Sequence, residues 1–190
     1  FLLQKLKHCL NLFVQRKIYV RYAVIAYVYF SLLLIMQGIG DGSQPLISRH
    51  YGMGELKNAL TVRRYAFTTS LITAAVLFAA LFFTKGYIPV VFGAGEEAAA
   101  IAEHALPYFG IAVCLAAVNR ICTAYFYSVK SNALAYTTVY GEVACLAVFA
   151  VIFPMAWGLE GLWIANPASQ AVVAVLGAAF CIVSDRKQKR

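Results

Sequence analysis

Gln37-Gly38-Ile39-Gly40-Asp41-Gly42-Ser43-Gln44-Pro45-Leu46-Ile47-Ser48-Arg49-His50-Tyr51-Gly52 follows an apolar run long enough to cross a bilayer, and it sets a carboxylate, four glycines and a proline near the end of that run. Lipid tolerates such residues only inside a helical bundle or beside a watery cavity. Gln37 and Gln44 lie seven residues apart, with Asp41 four after the first and three before the second. That spacing puts all three on one helix face. A stripe this polar is expected to face the interior of a bundle. Asp41 there either lines a substrate or ion path, or serves as a cap or hydrogen-bond partner within a broken segment. Gly40 and Gly42 beside it permit close helix approach or a local kink.

Composition outside the stretch agrees with a membrane setting. Of 190 residues, 62% are hydrophobic and 13% charged, and the mean hydropathy is +0.74. A soluble domain of ordinary composition is far less apolar. The fold class expected is an all-α integral membrane bundle. Five apolar segments are each near the roughly 20 residues a helix needs to cross the hydrocarbon core; they run over 22–48, 62–84, 101–128, 133–156 and 161–184. Turn chemistry separates them: Gly52-Met53-Gly54, Lys85-Gly86 through Gly93-Ala94-Gly95, Lys130-Ser131-Asn132 and Trp157-Gly158. Pro45, Pro107, Pro154 and Pro167 are expected to break or end helices.

The net charge of +8 sits mainly between and after the apolar runs. It therefore reads as membrane orientation rather than nucleic-acid binding. Arg49, Lys57, Arg63, Arg64, Lys130 and the basic tail 185–190 share one face, whereas Lys85 is the only Lys or Arg between spans on the other. The positive-inside rule places the C-terminus in the cytoplasm, and a multi-pass protein of the plasma (inner) membrane is expected. The basic segment 1–21 then falls on the outer side against the rule. It is either an interfacial amphipathic piece or stands where an upstream spanning helix is expected, and the chain reads as altered or truncated at its front.

Three charges stand deep inside spans, away from their ends: Asp41, Arg120 and Glu142. Each costs about 2.5–3.5 kcal/mol there unless it is neutralised or wet. Arg120 precedes the Ser131 turn and Glu142 follows it by similar distances, so both lie roughly 15–17 Å from that end of a helical hairpin. Asp41 sits about 15 Å in from the same face. A pair between Arg120 and Glu142 would neutralise both; it acts either as a static lock or as a proton- or cation-sensitive switch. Asn119, Asn166 and Gln170 add polar lining suited to interhelical hydrogen bonds, while Tyr136 and Tyr140 either do the same or simply pack.

Neither a metal site nor a redox motif is legible. Cys9, Cys114, Cys122, Cys145 and Cys181 form no CxxC pair, and the last four read as small buried apolar residues. His104 has no second ligand at metal spacing. With no nucleotide-binding loop, HExxH or nucleophile elbow, an ATP-driven or hydrolytic enzyme is not expected.

The stretch from Met36 to Gly52 resembles the signature that ends the eighth helix of multidrug and toxic compound extrusion (MATE) transporters. Val90-Val91-Phe92-Gly93 before an acidic helix start, Ala124-Tyr125-Phe126-Tyr127, and Gly158-Leu159-Glu160-Gly161-Leu162-Trp163 before Pro167 are similar to later landmarks of that family, in the same order. The resemblance spans about Tyr22–Ser184. It implies a twelve-helix antiporter of two six-helix lobes facing across a central cavity, of which this chain is similar to helices eight to twelve, a partial C-terminal lobe. It further implies export of small cationic or amphipathic compounds in exchange for Na⁺ or H⁺ as coupling ion, with no other cofactor. Gln37, Asp41 and Gln44 would then line the cavity, and an N-terminal lobe would complete it. Family members that couple ions in the C-terminal lobe use acids of the seventh and tenth helices, whereas the tenth helix here carries Arg120 and no acid after Glu103. Two alternatives stay open: a lipid-linked oligosaccharide flippase of the same superfamily, and a non-transporting membrane fragment.

Overall fold

A computed structural model describes the backbone over 16–92 and 96–188, and side-chain surroundings over 25–92 and 99–185. Every regular element among the described residues is a helix: α1 (Arg16–Gly52), α2 (Leu56–Thr84), the short α3 (Ile88–Val91), α4 (Glu96–Ser128), α5 (Asn132–Trp157) and α6 (Leu159–Gln188). All but α3 contain a stretch long and apolar enough to span a membrane. Of the basic segment 1–21, only the backbone from Arg16 is described, as the start of α1. Residues 1–15, the loop 93–95 and the side chains of the basic tail beyond Asp185 lie outside the described residues.

Tight turns reverse the chain between spans. After α1, Gly54 adopts φ 76° and the Glu55 N–H reaches back to the His50 carbonyl at 2.9 Å. After α4, Lys130 takes φ 58° and Ser131 N–H bonds the Phe126 carbonyl at 2.9 Å. Both are the six-to-one closure that satisfies orphan carbonyls at a helix end. Between α5 and α6, Gly158 holds φ 63° and ψ −138°, a combination open essentially to glycine.

The prolines do not break the helices. Pro45, Pro107, Pro154 and Pro167 lie within α1, α4, α5 and α6. Each removes only its own bond to the carbonyl four residues back, and a long membrane helix whose other bonds face no competing water continues through. At Pro45 the carbonyl so released belongs to Asp41.

α4 is the hub, in contact with α1, α2, α3, α5 and α6. Its sequence explains this: Ala102, Ala105, Ala112, Ala116, Ala117 and Ala124 are buried along it, and small residues let neighbouring helices approach. α5 is peripheral, with only Ala135 and Thr138 buried, and presents Val143, Leu146, Val148, Val151 and Ile152 outward. One apolar cluster gathers Ile25, Tyr29, Met36, Leu106, Phe109, Val113 and Trp163. A second gathers Ile47, Cys122, Tyr125, Phe126, Val129 and Cys181 toward the Ser131 turn. The polar residues of the spans concentrate between the two.

Candidate functional site

Four helices contribute to that polar layer. Arg120 of α4 directs Nη2 to Oε1 of Glu142 on α5 at 3.1 Å. The same Oε1 accepts a second hydrogen bond from Gln170 Nε2 on α6 at 2.8 Å. Gln170 is held from its other end, where Oε1 accepts from Asn119 Nδ2 at 2.6 Å; that amide also reaches the Gln170 backbone carbonyl at 3.2 Å. Tyr29 of α1 donates its hydroxyl proton to Asn166 Oδ1 at 3.2 Å and accepts from Gln170 Nε2 at 3.5 Å. One connected network thus joins Tyr29, Asn119, Arg120, Glu142, Asn166 and Gln170. Asn119 Oδ1 is buried without a hydrogen-bond partner among the described residues.

Helix packing sets these positions. Gly40 of α1 lies against Arg120, such that an added Cβ would stand 3.3 Å from the Arg120 carbonyl oxygen. The missing side chain therefore fixes how closely α1 approaches α4, and with it the place of the guanidinium. Tyr29 is aimed by its ring, edge-on to Phe109 with centroids 5.2 Å apart, which in turn meets Trp163 edge-on at 6.2 Å. Along the seam between α4 and α6, Asn119 meets Gln170, Cys122 meets Gly177 and Cys181, and Tyr125 meets Asp185. The two helices run parallel, as alternation of spans requires.

Side chains of Arg120 and Glu142 are 22% and 16% exposed, so each is mostly withdrawn from the surroundings. Two opposite charges in contact, with further donors on the carboxylate, offset the cost of keeping either inside a span.

The stripe on α1 is placed differently. Gln37 Nε2 donates to Asp41 Oδ1 at 2.8 Å, one turn apart on the same helix. Asp41 is exposed, while Gln37 and Gln44 are half-buried. The stripe therefore faces away from this five-helix body rather than into its interior. Gln44 instead serves through its backbone, whose carbonyl accepts from Ser128 Oγ of α4 at 3.1 Å. The α5 tyrosines are also turned outward: Tyr136 and Tyr140 are exposed.

Two features were not legible in the sequence. Tyr29 enters the network from the far end of the first span, and nothing in the apolar run separates it from its neighbours Tyr22 and Tyr27. Arg63 of α2 grips Asp185 of α6 with both prongs, Nη1 to Oδ1 at 2.8 Å and Nη2 to Oδ2 at 2.6 Å. The Tyr125 hydroxyl of α4 donates to Asp185 Oδ1 at 2.9 Å, and the Arg63 guanidinium lies 4.2 Å from the Tyr125 ring centroid. This clasp ties α2, α4 and α6 near the Ser131 turn. Its members are 60 and 122 residues apart, beyond the reach of local spacing.

At the opposite end, His104 Nε2 meets Glu160 at 3.1 Å and Lys85 Nζ stands 3.7 Å from Glu103. Lys85, Glu103 and His104 border an open groove of about 340 Å³ lined also by Pro107, Tyr108 and Ile111. Among the described residues no three His, Cys, Asp or Glu side chains converge as a metal site. Cys122 and Cys181 are buried, whereas Cys114 and Cys145 are half-buried, so the expectation of four buried cysteines holds for two.

The outward-facing Asp41 and the Gln37–Gly52 stretch that carries it fall inside a family match. The MatE family model matches residues 22–155, which takes in nearly all of the first five helices. Comparison with curated proteins and with solved structures yields no match. A match over more than half of the chain, on a body of five membrane-length helices, places the protein in the MatE family, as a multi-pass membrane protein of the MATE transporter type.

Proposed function

We propose that this chain forms most of the C-terminal lobe of a multidrug antiporter that exports cationic or amphipathic compounds in exchange for Na⁺ or H⁺. The observation that carries the reading is Asp41: a carboxylate in the middle of a membrane span, exposed on the surface of the helical body and held by Gln37 at 2.8 Å. Facing hydrocarbon, it would cost about 2.5–3.5 kcal/mol. Facing a watery cavity closed by a second lobe, it costs little and offers a negative charge to a cation. Gln37, Asp41 and Gln44 form one wall of that cavity, and the facing wall belongs to an N-terminal lobe. In this reading the protein lies in the plasma (inner) membrane with its C-terminus cytoplasmic, as the distribution of Lys and Arg favours.

The flippase alternative needs a cation free for a phosphorylated substrate. Arg120, the cation it would draw on, is engaged by Glu142, which favours the multidrug reading.

Efflux of a cationic dye from vesicles bearing the full-length transporter tests the proposal. A carboxylate and a cation about 4 Å apart attract by a few kcal/mol at an effective dielectric constant of about 20. Asp41→Asn is therefore expected to slow efflux at least about tenfold. Unchanged efflux in that variant removes Asp41 from the transport path.

A further inference from the structure

The seam between α4 and α6 holds a chemical feature that neither the polar network nor the proposed cavity uses. Cys122 of α4 and Cys181 of α6 place their sulfurs 3.7 Å apart, with 0% and 7% of the residues exposed. They come this close because Gly177, one turn before Cys181, has no side chain. A Cβ there would stand 3.2 Å from Cys122 Cβ and 3.3 Å from its sulfur. The seam is pinned on both sides of the pair, by Asn119 to Gln170 at 2.6 Å and by Tyr125 to Asp185 at 2.9 Å, so the thiols are held opposite one another.

We propose that Cys122 and Cys181 form an oxidisable dithiol, closed to a disulfide by a membrane-soluble hydroperoxide, that staples α4 to α6 beside the polar layer. A disulfide needs its sulfurs about 2.05 Å apart. Closing the remaining gap requires side-chain rotation and a small approach of the helices, which the glycine leaves room for. The chemistry runs in two steps. One thiol sulfur attacks the terminal oxygen of the hydroperoxide; the O–O bond breaks, a sulfenic acid forms, and the thiol proton leaves with the alkoxide as an alcohol. The second thiol then attacks the sulfenic sulfur; the S–S bond forms, the S–OH bond breaks, and its oxygen leaves as water with the second thiol proton. Two thiols supply the two electrons that reduce the peroxide. A thiol reductant reverses the bond by exchange.

The route of access selects the oxidant class. Neighbours of Cys181 on α6 that point outward are apolar: Ile182 is 56% exposed and Ala178 is also exposed. An oxidant that dissolves in the bilayer reaches the seam from that side, whereas a polar peroxide must cross the same apolar layer.

The test uses the full chain in lipid vesicles, treated in parallel with cumene hydroperoxide and with hydrogen peroxide. The chain is then unfolded in detergent, alkylated with N-ethylmaleimide and analysed by mass spectrometry. The expected result with cumene hydroperoxide is the joint loss of alkylation at Cys122 and Cys181, a cross-linked peptide pair containing both, and full recovery after dithiothreitol. Hydrogen peroxide should produce the same link more slowly. Cys122→Ser and Cys181→Ser should each abolish the link. Retained alkylation at both positions, unlinked sulfinic acids, or linkage to Cys114 or Cys145 would overturn the proposal. Equal rates with the two peroxides would overturn the bilayer route. The untreated protein reports its own thiols, so the result stands even if a variant folds poorly, and no transport measurement enters it.

Discussion

Glu142→Gln isolates the charge pair at the centre of the polar layer. The substituted amide keeps the size of the side chain and an oxygen able to accept from Gln170 Nε2, which now lies 2.8 Å from Glu142 Oε1. What it removes is the negative charge 3.1 Å from Arg120, on side chains only 16% and 22% exposed. A guanidinium left uncompensated in a span costs about 2.5–3.5 kcal/mol, and breaking a buried pair from one side about 3–5 kcal/mol. Partial exposure of both groups places the expected loss at the lower end, about 2–3 kcal/mol. Arg120→Met should cost a similar amount, since it strands Glu142. The double variant should recover most of the loss, ending within about 1 kcal/mol of the parent, for a coupling energy of at least about 3 kcal/mol. Thermal unfolding in lipid nanodiscs, followed by the fluorescence of Trp163, which is 4% exposed, measures all four proteins. At roughly 2–4 °C per kcal/mol for a chain of this size, each single variant should melt about 4–12 °C below the parent. Singles that add to the double within about 0.5 kcal/mol would refute mutual neutralisation and leave the contact as mere proximity.

Two further outcomes follow from contacts at the end of the body that carries the Ser131 turn. Arg63→Lys keeps the charge but loses the fork that meets both oxygens of Asp185 and the stacking on Tyr125; the variant should lose about 1 kcal/mol in the same melting assay, and a melting point equal to the parent's would show that the fork geometry contributes nothing. In the turn after α1, hydrogen bonds from Asn58 at 2.9 Å and from His50 at 2.7 Å hold the Glu55 carboxyl below its usual 4.5, Asn58 being the larger cause. A lowered pKa in the folded state means that the contribution is complete above pH 4.5 and lost as pH falls through the folded value. The carboxyl carbon shift of Glu55, followed by NMR against pH, should therefore have its midpoint below 4.5. Asn58→Ala should move that midpoint upward, and an unmoved midpoint would show that the bond does not form in solution.

Most of the architecture can be read from composition. Apolar runs of membrane length, separated by Gly-Met-Gly, Lys-Ser-Asn and Trp-Gly, give five spanning helices because a bilayer leaves the backbone no other way to satisfy its polar groups. The family resemblance is equally local, carried by a stretch of glycines, an aspartate and a proline, and membership itself rests on the match over 22–155. The prolines show where local reading misleads. In water, proline ends a helix; inside a long apolar helix the lost bond is one among many, and α1, α4, α5 and α6 all run through theirs.

The sequence by itself determined that this is a membrane protein with five long helices, which residues are too polar for lipid, and that Gln37, Asp41 and Gln44 share a face. These are properties of one helix at a time, set by hydropathy and a period of 3.6 residues. Only the tertiary structure decided which way that face points, outward from the five-helix body, and that Tyr29 joins Asn119, Arg120, Glu142, Asn166 and Gln170 in a single network. The same holds for the Arg63–Asp185 clasp and the facing Cys122 and Cys181. Each depends on how closely and in what rotation two helices pack. That is set by glycines and alanines at the contact, Gly40 against Arg120 and Gly177 against Cys122, whose absent side chains carry no chemical signal of their own.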